Sequence, residues 1–328
     1  MTPAISICIP TYNRADSLGN LVRRFLADKF EDFELIIAND CSTDHTDDVM
    51  TEFSVEDSDK RIKYFKHQTN IGIKANWDFV VRKATAPLIF RIDDDDYVSR
   101  EFLTKMVGLF DRYKSIGSAY SGFSYDSNGS TTEIIDRATF GSDVITSKRF
   151  CRNFLLHNPF PAVHFASVVF RREVAEKVDF FTPPYCDQLF ALALATQAPV
   201  GYIPEPLFYY VQHDEARHSN AHGVHADPLN LYKKVYHAGI PCFNLDPYIQ
   251  SIKEQVHKRH SIIYPCTDLY TTRANFKSRR LVIKTALDRM RQIPSLRFNP
   301  LFWATLLSML GPDWLVTWLR NIYRRRKA

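Results

Sequence analysis

The chain has 328 residues, of which 45% are hydrophobic and 24% charged, and its formal net charge is +5. This composition is ordinary for a globular protein, and the length allows a large core or more than one. Its six cysteines are scattered without a Cys-x-x-Cys pair, which argues against a disulfide framework or a zinc site. Residues 216–328 hold 19 Lys and Arg against 6 Asp and Glu, whereas residues 1–215 hold 23 against 31. A basic C-terminal region on an acidic body suggests an anionic partner such as a membrane surface or nucleic acid.

The first part of the chain alternates short apolar segments with segments of helical periodicity. Strands are predicted at 5–10, 33–38, 62–65 and 87–92, with a helix after each of the first three. Asp16 is the predicted N-cap of the first helix. This alternation predicts a parallel, doubly wound α/β sheet. Ligands of such sheets lie beyond the carboxyl ends of the strands, so we expect Tyr12, Asp40 and Asp93–Asp96 to converge on one crevice.

Four consecutive aspartates, Asp93–Asp96, follow the fourth apolar segment. In an extended chain, Asp93 and Asp95 would point to one side of the strand, and Asp94 and Asp96 to the other. Like charges about 4 Å apart repel by roughly 1 kcal/mol in water, so the run is either a solvated acidic turn or a cation site. Carboxylate oxygens suit Mg²⁺ or Mn²⁺. No glycine-rich phosphate loop is present, which argues against a dinucleotide fold and a P-loop ATPase.

The second part of the chain continues with mixed elements. Helices are predicted at 99–113, 147–157 and 189–197, strands at 118–126, 163–171, 200–203 and 207–211, and a loop or hairpin at 127–146. Beyond residue 215 the pattern becomes helical and basic, with helices at 246–263 and 268–293. Asn299 and Pro300 predict an N-cap and first turn for the apolar run 301–310.

The C-terminal apolar segments are too short to cross a bilayer, which needs about 20 residues. Trp314 and Trp318 lie among apolar and arginine residues, a pattern typical of a helix in the membrane interface. The alternative is a helix packed on the body with a solvated basic end. His218 and His222 lack the further ligands that zinc needs, so we do not expect a zinc site.

Four ordered motifs resemble those of family-two glycosyltransferases, which are inverting enzymes with the GT-A fold. The motifs are Ile7-Cys8-Ile9-Pro10-Thr11-Tyr12-Asn13-Arg14, Asn39-Asp40-Cys41-Ser42-Thr43-Asp44, Asn70-Ile71-Gly72 and Ile92-Asp93-Asp94-Asp95-Asp96. The resemblance covers residues 4 to about 215. It implies a catalytic domain at 1–215, with a nucleotide-sugar half at 1–98 and an acceptor half at 99–215. Residues 216–328 would form a helical, membrane-associating extension, similar to that of members that build bacterial surface polysaccharides.

The resemblance also implies residue roles. Thr11 and Tyr12 would line the base and ribose pocket, and Asp40 would accept hydrogen bonds from the base, commonly uracil. Asp93 and Asp95 would form the D-x-D motif, with the register open to Asp94 and Asp96. The implied nucleotide-sugar residues are Pro10, Thr11, Tyr12, Arg14, Asp40, Asn70, Asp93 and Asp94, and the implied ligands of Mn²⁺ or Mg²⁺ are Asp95 and His213. Asp44 is expected to cap a helix.

An inverting transfer needs a general base for the acceptor hydroxyl. Asp187, at the start of a predicted helix, lies where the family places that base, often in a Glu-Asp pair. Here Cys186 precedes it, so the pair is incomplete. The alternative is an ordinary N-cap aspartate, in which case Asp179 is the next candidate.

The expected function is therefore transfer of a sugar from a nucleotide-sugar to a saccharide or lipid-linked acceptor. We expect the donor to be UDP-linked. The expected place is the cytoplasm, on the inner face of the cell membrane, because no signal peptide is evident after Met1. Alternatives are a sugar-phosphate nucleotidyltransferase and a degenerate, non-catalytic membrane scaffold. Nucleic acid is not an expected partner, because the basic tail lacks an exposed aromatic sheet.

Overall fold

The computed structural model describes residues 2–56, 60–127, 129–135, 142–156, 164–180, 187–212 and 279–310. The chain divides into two compact units, one of residues 1–224 and 234–249, the other of residues 225–233 and 250–328. The boundary predicted at residue 215 lies outside the described residues and stays a prediction.

The described part of the first unit is a mixed α/β structure, as predicted. Its strands are β1 (Ile5–Thr11), β2 (Phe33–Asn39), β3 (Ile62–Lys66), β4 (Leu88–Arg91), β5 (Tyr97–Val98), β6 (Ser118–Ser127), β7 (Ser130–Ile134), β8 (Val144–Ile145), β9 (Val169–Arg171) and β10 (Val200–Val211). Its helices are α1 (Ala15–Leu26), α2 (Thr46–Glu56), α3 (Ile73–Arg82), α4 (Phe102–Arg112), α5 (Ser147–Leu156), α6 (Arg172–Lys177) and α7 (Asp187–Gln197).

These strands form one sheet in the order β3-β2-β1-β4-β9-β6-β10-β5, with β7 added beside β6 and β8 beside β10. The first four strands run parallel, and so do β6 and β10. The short strand β9 runs antiparallel between β4 and β6 and joins the two parallel groups. The carboxyl ends of β1, β2 and β4 therefore share one edge of the sheet, where ligands of such sheets bind.

Every residue of β1, β2 and β4 is buried, which is the pattern of central strands covered on both faces. Helix α1 turns one apolar face towards them, with Leu18, Val22 and Phe25 each at most 1% exposed. This helical spacing of buried residues is what the sequence pattern predicted. The core thus holds the loops at the strand ends on rigid supports.

Two predictions for the second half were wrong in detail. The strand predicted at 163–171 is only three residues long, because a 3₁₀ helix at Phe165–Ser167 precedes β9. The Ser167 backbone N–H and hydroxyl both donate to the His164 carbonyl, at 2.9 and 2.7 Å, and such local bonds compete with a strand ladder. The strands predicted at 200–203 and 207–211 are one strand, β10, whose register against β6 shifts around Pro206.

The described part of the second unit contains α8 (Arg279–Gln292), a 3₁₀ helix at Pro294–Phe298 and α9 (Pro300–Leu310). Asn299 Oδ1 accepts the Phe302 N–H at 3.0 Å, so the predicted N-cap is confirmed. Val282, Phe302 and Met309 are among the residues of a small apolar core. None of the described helices combines the length and apolar character needed to cross a bilayer. The helix predicted at 246–263 and the apolar stripe around Trp314 and Trp318 lie outside the described residues.

Candidate active site

A cavity of about 500 Å³ opens at the carboxyl ends of β1, β2 and β4. Nine residues that the motifs singled out line it: Pro10, Thr11, Tyr12, Arg14, Asp40, Asn70, Asp93, Asp94 and Asp95. The predicted crevice therefore exists and brings these side chains together. Four further lining residues were missed by the sequence reasoning: Ile73, Asn76, Trp77 and Tyr210. His213 lies outside the described residues, so its predicted role as a metal ligand stays a prediction.

The two loops that follow β1 and β2 are tied to each other. Asn13 has a left-handed backbone (φ 54°), its N–H donates to the Ser42 hydroxyl at 2.9 Å, and its Oδ1 accepts the Thr43 N–H at 2.8 Å. Asparagine tolerates this conformation better than most residues. The turn at Asn13 thus crosses to the neighbouring loop and fixes one wall of the cavity.

Asp44 caps two helices at once. Its Oδ2 accepts the N–H of Ala15, the first residue of α1, at 3.0 Å, and its Oδ1 accepts the N–H of Thr46, the first residue of α2, at 3.1 Å. The pKa of Asp44 is lowered, because these hydrogen bonds and that of the Thr46 hydroxyl outweigh the effect of burial. The sequence expectation of a capping role for Asp44 agrees with these bonds. The prediction that Asp16 caps α1 was wrong, because the helix already begins at Ala15.

Asp40 is buried at the end of β2, and its carboxylate holds the start of α3. Oδ1 accepts the Ile71 N–H at 2.7 Å and Oδ2 accepts the Gly72 N–H at 3.0 Å. Gly72 has φ 87°, a conformation that favours glycine, and Asn70 Oδ1 also accepts its N–H at 3.1 Å. The Asn70 side chain returns a bond to the Asp40 carbonyl at 3.2 Å. Asp40 and Asn70 together therefore shape the loop that lines the cavity beside α3.

The four aspartates do not continue β4 as an extended strand, so that expectation was wrong. β4 ends at Arg91, and a turn follows in which the Asp96 N–H donates to the Asp93 carbonyl at 3.2 Å. The side chains of Asp93 and Asp95 are 32% and 16% exposed, whereas Asp94 and Asp96 are buried. The turn thus separates two partly exposed carboxylates from two buried ones.

The two buried aspartates serve the local structure. Asp94 accepts the Thr11 hydroxyl at 2.6 Å, and burial raises its pKa to about 7 despite that bond and the nearby Arg14. Asp96 Oδ1 accepts the Val211 N–H at 3.0 Å, and burial raises its pKa well above the usual range. Asp94 thus joins the acidic turn to β1, and Asp96 joins it to the end of β10.

Asp93 is paired with a buried arginine. Arg91 is 2% exposed, its Nη1 lies 2.5 Å from Asp93 Oδ1, and its guanidinium lies 4.3 Å from the centre of the Trp77 ring. Buried charges need partners of this kind. The signal in the sequence was a single arginine inside an otherwise apolar strand.

Among the described residues no three or more His, Cys, Asp or Glu side chains converge into a metal-ligand shell. Mg²⁺ usually binds proteins through one or two carboxylates, with substrate phosphates and waters as its other ligands. The partly exposed carboxylates of Asp93 and Asp95 in the cavity wall fit that simpler arrangement. Both carboxylates have an arginine partner, since Asp93 pairs with the buried Arg91 and Asp95 contacts the more exposed Arg14.

The backbone of Asp187 can be placed from the topology. α7 begins at Asp187 and leads into the start of β10, and its far end is close to the start of β6, where a Cβ on Gly117 would lie 2.6 Å from that of Ala198. Eleven helical residues span about 16 Å, so roughly that length of helix separates Asp187 from the segment that leads into β10. The role of Asp187 as general base stays a prediction.

Asp179 lies near the amino end of β4. It follows α6, which begins directly after Arg171, and Arg171 pairs with Leu88 at the start of β4. Its carboxylate contacts Arg82 at 2.9 Å, at the end of α3 remote from the cavity. This position does not suit a group that must reach a substrate in the cavity.

Tyr210 brings an aromatic wall to the cavity. Its ring centre lies 4.4 Å from that of His164 and 6.0 Å from that of Tyr125. Burial lowers the pKa of His164 to about 4, so its ring is neutral at pH 7. The signal in the sequence was the tyrosine pair at the end of the last predicted strand.

The sequence model of glycosyl transferase family 2 matches residues 6–179. The chain belongs to this family. The matched range holds the cavity-lining motifs and excludes α7 and β10. As a glycosyltransferase the protein is not a sugar-phosphate nucleotidyltransferase.

Three bacterial glycosyltransferases that are similar in sequence to this chain support the assignment. An uncharacterized glycosyltransferase from Nostoc sp. is 26% identical over 221 residues, 66% of this chain and 67% of that protein. The putative teichuronic acid biosynthesis glycosyltransferase TuaG of Bacillus subtilis is 28% identical over 122 residues, 37% of this chain and 47% of TuaG. The Campylobacter jejuni GalNAc(5)-diNAcBac-PP-undecaprenol beta-1,3-glucosyltransferase is 32% identical over 95 residues, 29% of this chain and 30% of that enzyme. The last two matches thus span less than half of their relatives.

Two solved structures share the fold. Staphylococcus aureus TarS 1–349 in complex with UDP-GlcNAc has a TM-score of 0.63 at 17% identity, over 94% of this chain and 89% of that chain. The mannosyltransferase PcManGT of Pyrobaculum calidifontis, in complex with GDP-Man and Mn²⁺, has a TM-score of 0.54 at 14% identity, over 99% of this chain and 88% of that chain. The GT-A fold expected from the motifs is confirmed.

Proposed function

We propose that this family-2 enzyme is an inverting, divalent-cation-dependent transferase that moves a sugar from a UDP-linked donor to a hydroxyl of a saccharide or lipid-linked acceptor. The observation that carries the proposal is the single cavity that gathers Thr11, Asp40 and the acidic turn at the carboxyl edge of the sheet. The UDP-GlcNAc complex of TarS and the Mn²⁺ complex of PcManGT support the donor class and the cation. The names of TuaG and of the undecaprenol-linked transferase support a role in bacterial surface polysaccharide synthesis.

In this proposal the donor lies along the cavity with its base near Tyr12 and Asp40. Tyr12 is 46% exposed, so its ring is available to contact a base. Both carboxylate oxygens of Asp40 already accept backbone N–H groups, and each keeps a second lone pair for the base. Asp95 and Asp93, which line the cavity, would hold Mn²⁺ or Mg²⁺ beside the diphosphate, and the cation would offset the charge that develops on the leaving group.

The acceptor half supplies the base. Asp187 takes the proton of the acceptor hydroxyl as the hydroxyl attacks the anomeric carbon from the side opposite the diphosphate. The N-terminus of α7 favours the ionised carboxylate, which is the form that accepts a proton. The place of Asp187 as the first residue of α7 supports this role, and Asp179, bound to Arg82 at the end of α3 remote from the cavity, is not proposed.

We further propose that the second unit binds the anionic inner face of the cell membrane. Phe298, Leu301 and Leu307 are 88%, 54% and 67% exposed, an unusual set of apolar side chains within ten residues. Arg291 and Arg297 lie close to them in the chain and are exposed too. Apolar side chains flanked by basic ones are typical of helices that lie in the membrane interface.

Calorimetry with UDP, in the presence and absence of Mn²⁺, tests the donor site. We expect clear binding with Mn²⁺, much weaker binding without it, and loss of the Mn²⁺ effect in Asp95→Ala. Asp48→Ala is the matched control, because Asp48 is an exposed aspartate in the first turn of α2, away from the cavity lining. Equal affinity with and without Mn²⁺, or wild-type behaviour of Asp95→Ala, would contradict the proposal.

A further inference from the structure

Arg14 places a positive charge on the acidic turn. Its Nη1 lies 3.3 Å from Asp94 Oδ1 and also contacts Asp95 Oδ2. The guanidinium therefore occupies the surroundings of the carboxylate to which the proposed function assigns the divalent cation.

The Arg14 side chain is more exposed than those of the two aspartates that it contacts. Its side chain is 46% exposed and extends from the loop between β1 and α1. Asp94 stays fixed without it, because the Thr11 hydroxyl holds its other oxygen at 2.6 Å. Release of Arg14 would thus leave the acidic turn in place.

Two cations cannot both occupy the Asp95 carboxylate without strong repulsion. A diphosphate in the same cavity offers Arg14 an alternative partner, and the planar guanidinium suits phosphate oxygens. Arg14 lines the cavity, so a diphosphate bound there would lie in the same cavity as its long side chain.

We propose that Arg14 is an exchangeable counter-ion. It neutralises Asp95 before substrate arrives, and it transfers to the donor diphosphate when a divalent cation binds Asp95. This inference rests on the proposed function and deepens it. The motif only placed Arg14 near the donor, whereas the inference gives it a role in coupling the binding of the cation to the binding of the donor. Cation and nucleotide should then each favour binding of the other, since the nucleotide stabilises the position of Arg14 that vacates Asp95.

The test is calorimetry with MnCl₂ alone, with UDP alone and with both, on the wild-type chain and on Arg14→Gln. Without the arginine, MnCl₂ alone should bind about tenfold more tightly, a size typical of coupling between two sites. UDP in saturating MnCl₂ should bind more weakly, and the mutual enhancement of UDP and MnCl₂ should fall by about tenfold too.

Two further variants serve as controls. Arg14→Lys keeps the charge, so its affinity for MnCl₂ alone should stay near that of the wild type, and it keeps the inference testable should Arg14→Gln fold poorly. Arg24→Gln removes an exposed arginine of α1 that lies over the Tyr97 ring, and it should change none of these affinities.

Each outcome has a distinct meaning. Unchanged MnCl₂ affinity in Arg14→Gln, with weaker UDP binding, would make Arg14 a simple phosphate ligand and overturn the exchange. Weaker MnCl₂ binding would show that Arg14 merely orders the turn, and it would overturn the exchange too. Unchanged UDP affinity in MnCl₂ would show that Arg14 never reaches the diphosphate. Absence of any Mn²⁺-dependent UDP binding in the wild type would instead remove the proposed function on which the inference rests.

Discussion

Asp40→Asn should weaken the fold as well as the donor site. The family resemblance gives Asp40 a role in reading the base, but its two oxygens already accept the Ile71 and Gly72 N–H groups at 2.7 and 3.0 Å. Asparagine keeps one acceptor and turns an NH₂ group towards the other N–H. The change removes one hydrogen bond to a charged group at a partly buried site, where the Gly72 N–H keeps Asn70 Oδ1 as a second acceptor.

The size of the effect follows from these contacts. A hydrogen bond to a charged group contributes about 1.5–3 kcal/mol, so we expect a loss of about 2 kcal/mol in the free energy of unfolding. For a catalytic unit of this size that corresponds to a fall of about 4–8 °C in Tm. Because α3 begins at this point and lines the cavity, binding of UDP and of GDP should weaken together.

Thermal unfolding followed by circular dichroism, with UDP and GDP titrations on the same samples, measures both effects. Asp48→Asn is the control for loss of one negative charge at an exposed site. If Asp40→Asn melted like the wild type and lost affinity for UDP alone, the carboxylate would be a base-reading group and the anchoring argument would be refuted.

Three further changes separate catalysis, stability and membrane contact. Asp187→Asn should fold and bind UDP like the wild type but turn over at least about a hundredfold more slowly, as expected for loss of a general base, and near-normal turnover would remove Asp187 from the mechanism. Glu34→Gln should lower the free energy of unfolding by about 3 kcal/mol at pH 7, because hydrogen bonds from Lys63, Ser6 and Thr85 outweigh burial and lower the Glu34 pKa to about 2. Because the Glu34 pKa is depressed, the difference in the free energy of unfolding between Glu34→Gln and the wild type should be full above about pH 4.5 and should shrink as the pH falls towards 2. A difference in melting that does not change with pH would contradict this cause. Replacing Leu301 and Leu307 by Ser should reduce sedimentation with anionic vesicles while UDP binding is kept, and unchanged sedimentation would show that these side chains do not contact the membrane.

The sequence predicted the central strands well because their signals are local. A mostly apolar segment such as Ile5–Pro10, in which Ser6 is the one polar residue, is best satisfied as a buried strand. The polar residues after it then fall at the carboxyl edge of a parallel sheet. Asn299 and Pro300 were equally informative, because an N-cap acts within three residues of chain.

The features that sequence reasoning missed depend on partners distant in the chain. Nothing near Asp44 indicates that one of its oxygens would cap α1, which begins 29 residues earlier. Trp77 lies in α3 and Tyr210 in β10, and both line the cavity. Neither belongs to one of the motifs, so the sequence did not single them out. The acidic turn departs from an extended strand because Asp96 bonds to Val211, a contact that forms only when β10 is in place.

The crossed loops at Asn13 and Asp44 have a consequence for affinity. A loop that must become ordered around a ligand loses conformational entropy at that moment, and binding is weaker by that amount. Here three of the bonds described above cross between the loops, joining Asn13 to Ser42, Asn13 to Thr43 and Asp44 to Ala15, and they order this wall when the chain folds. A donor nucleotide therefore meets a preorganised surface, and lengthening either loop alone should weaken donor binding even if no contacting residue changes.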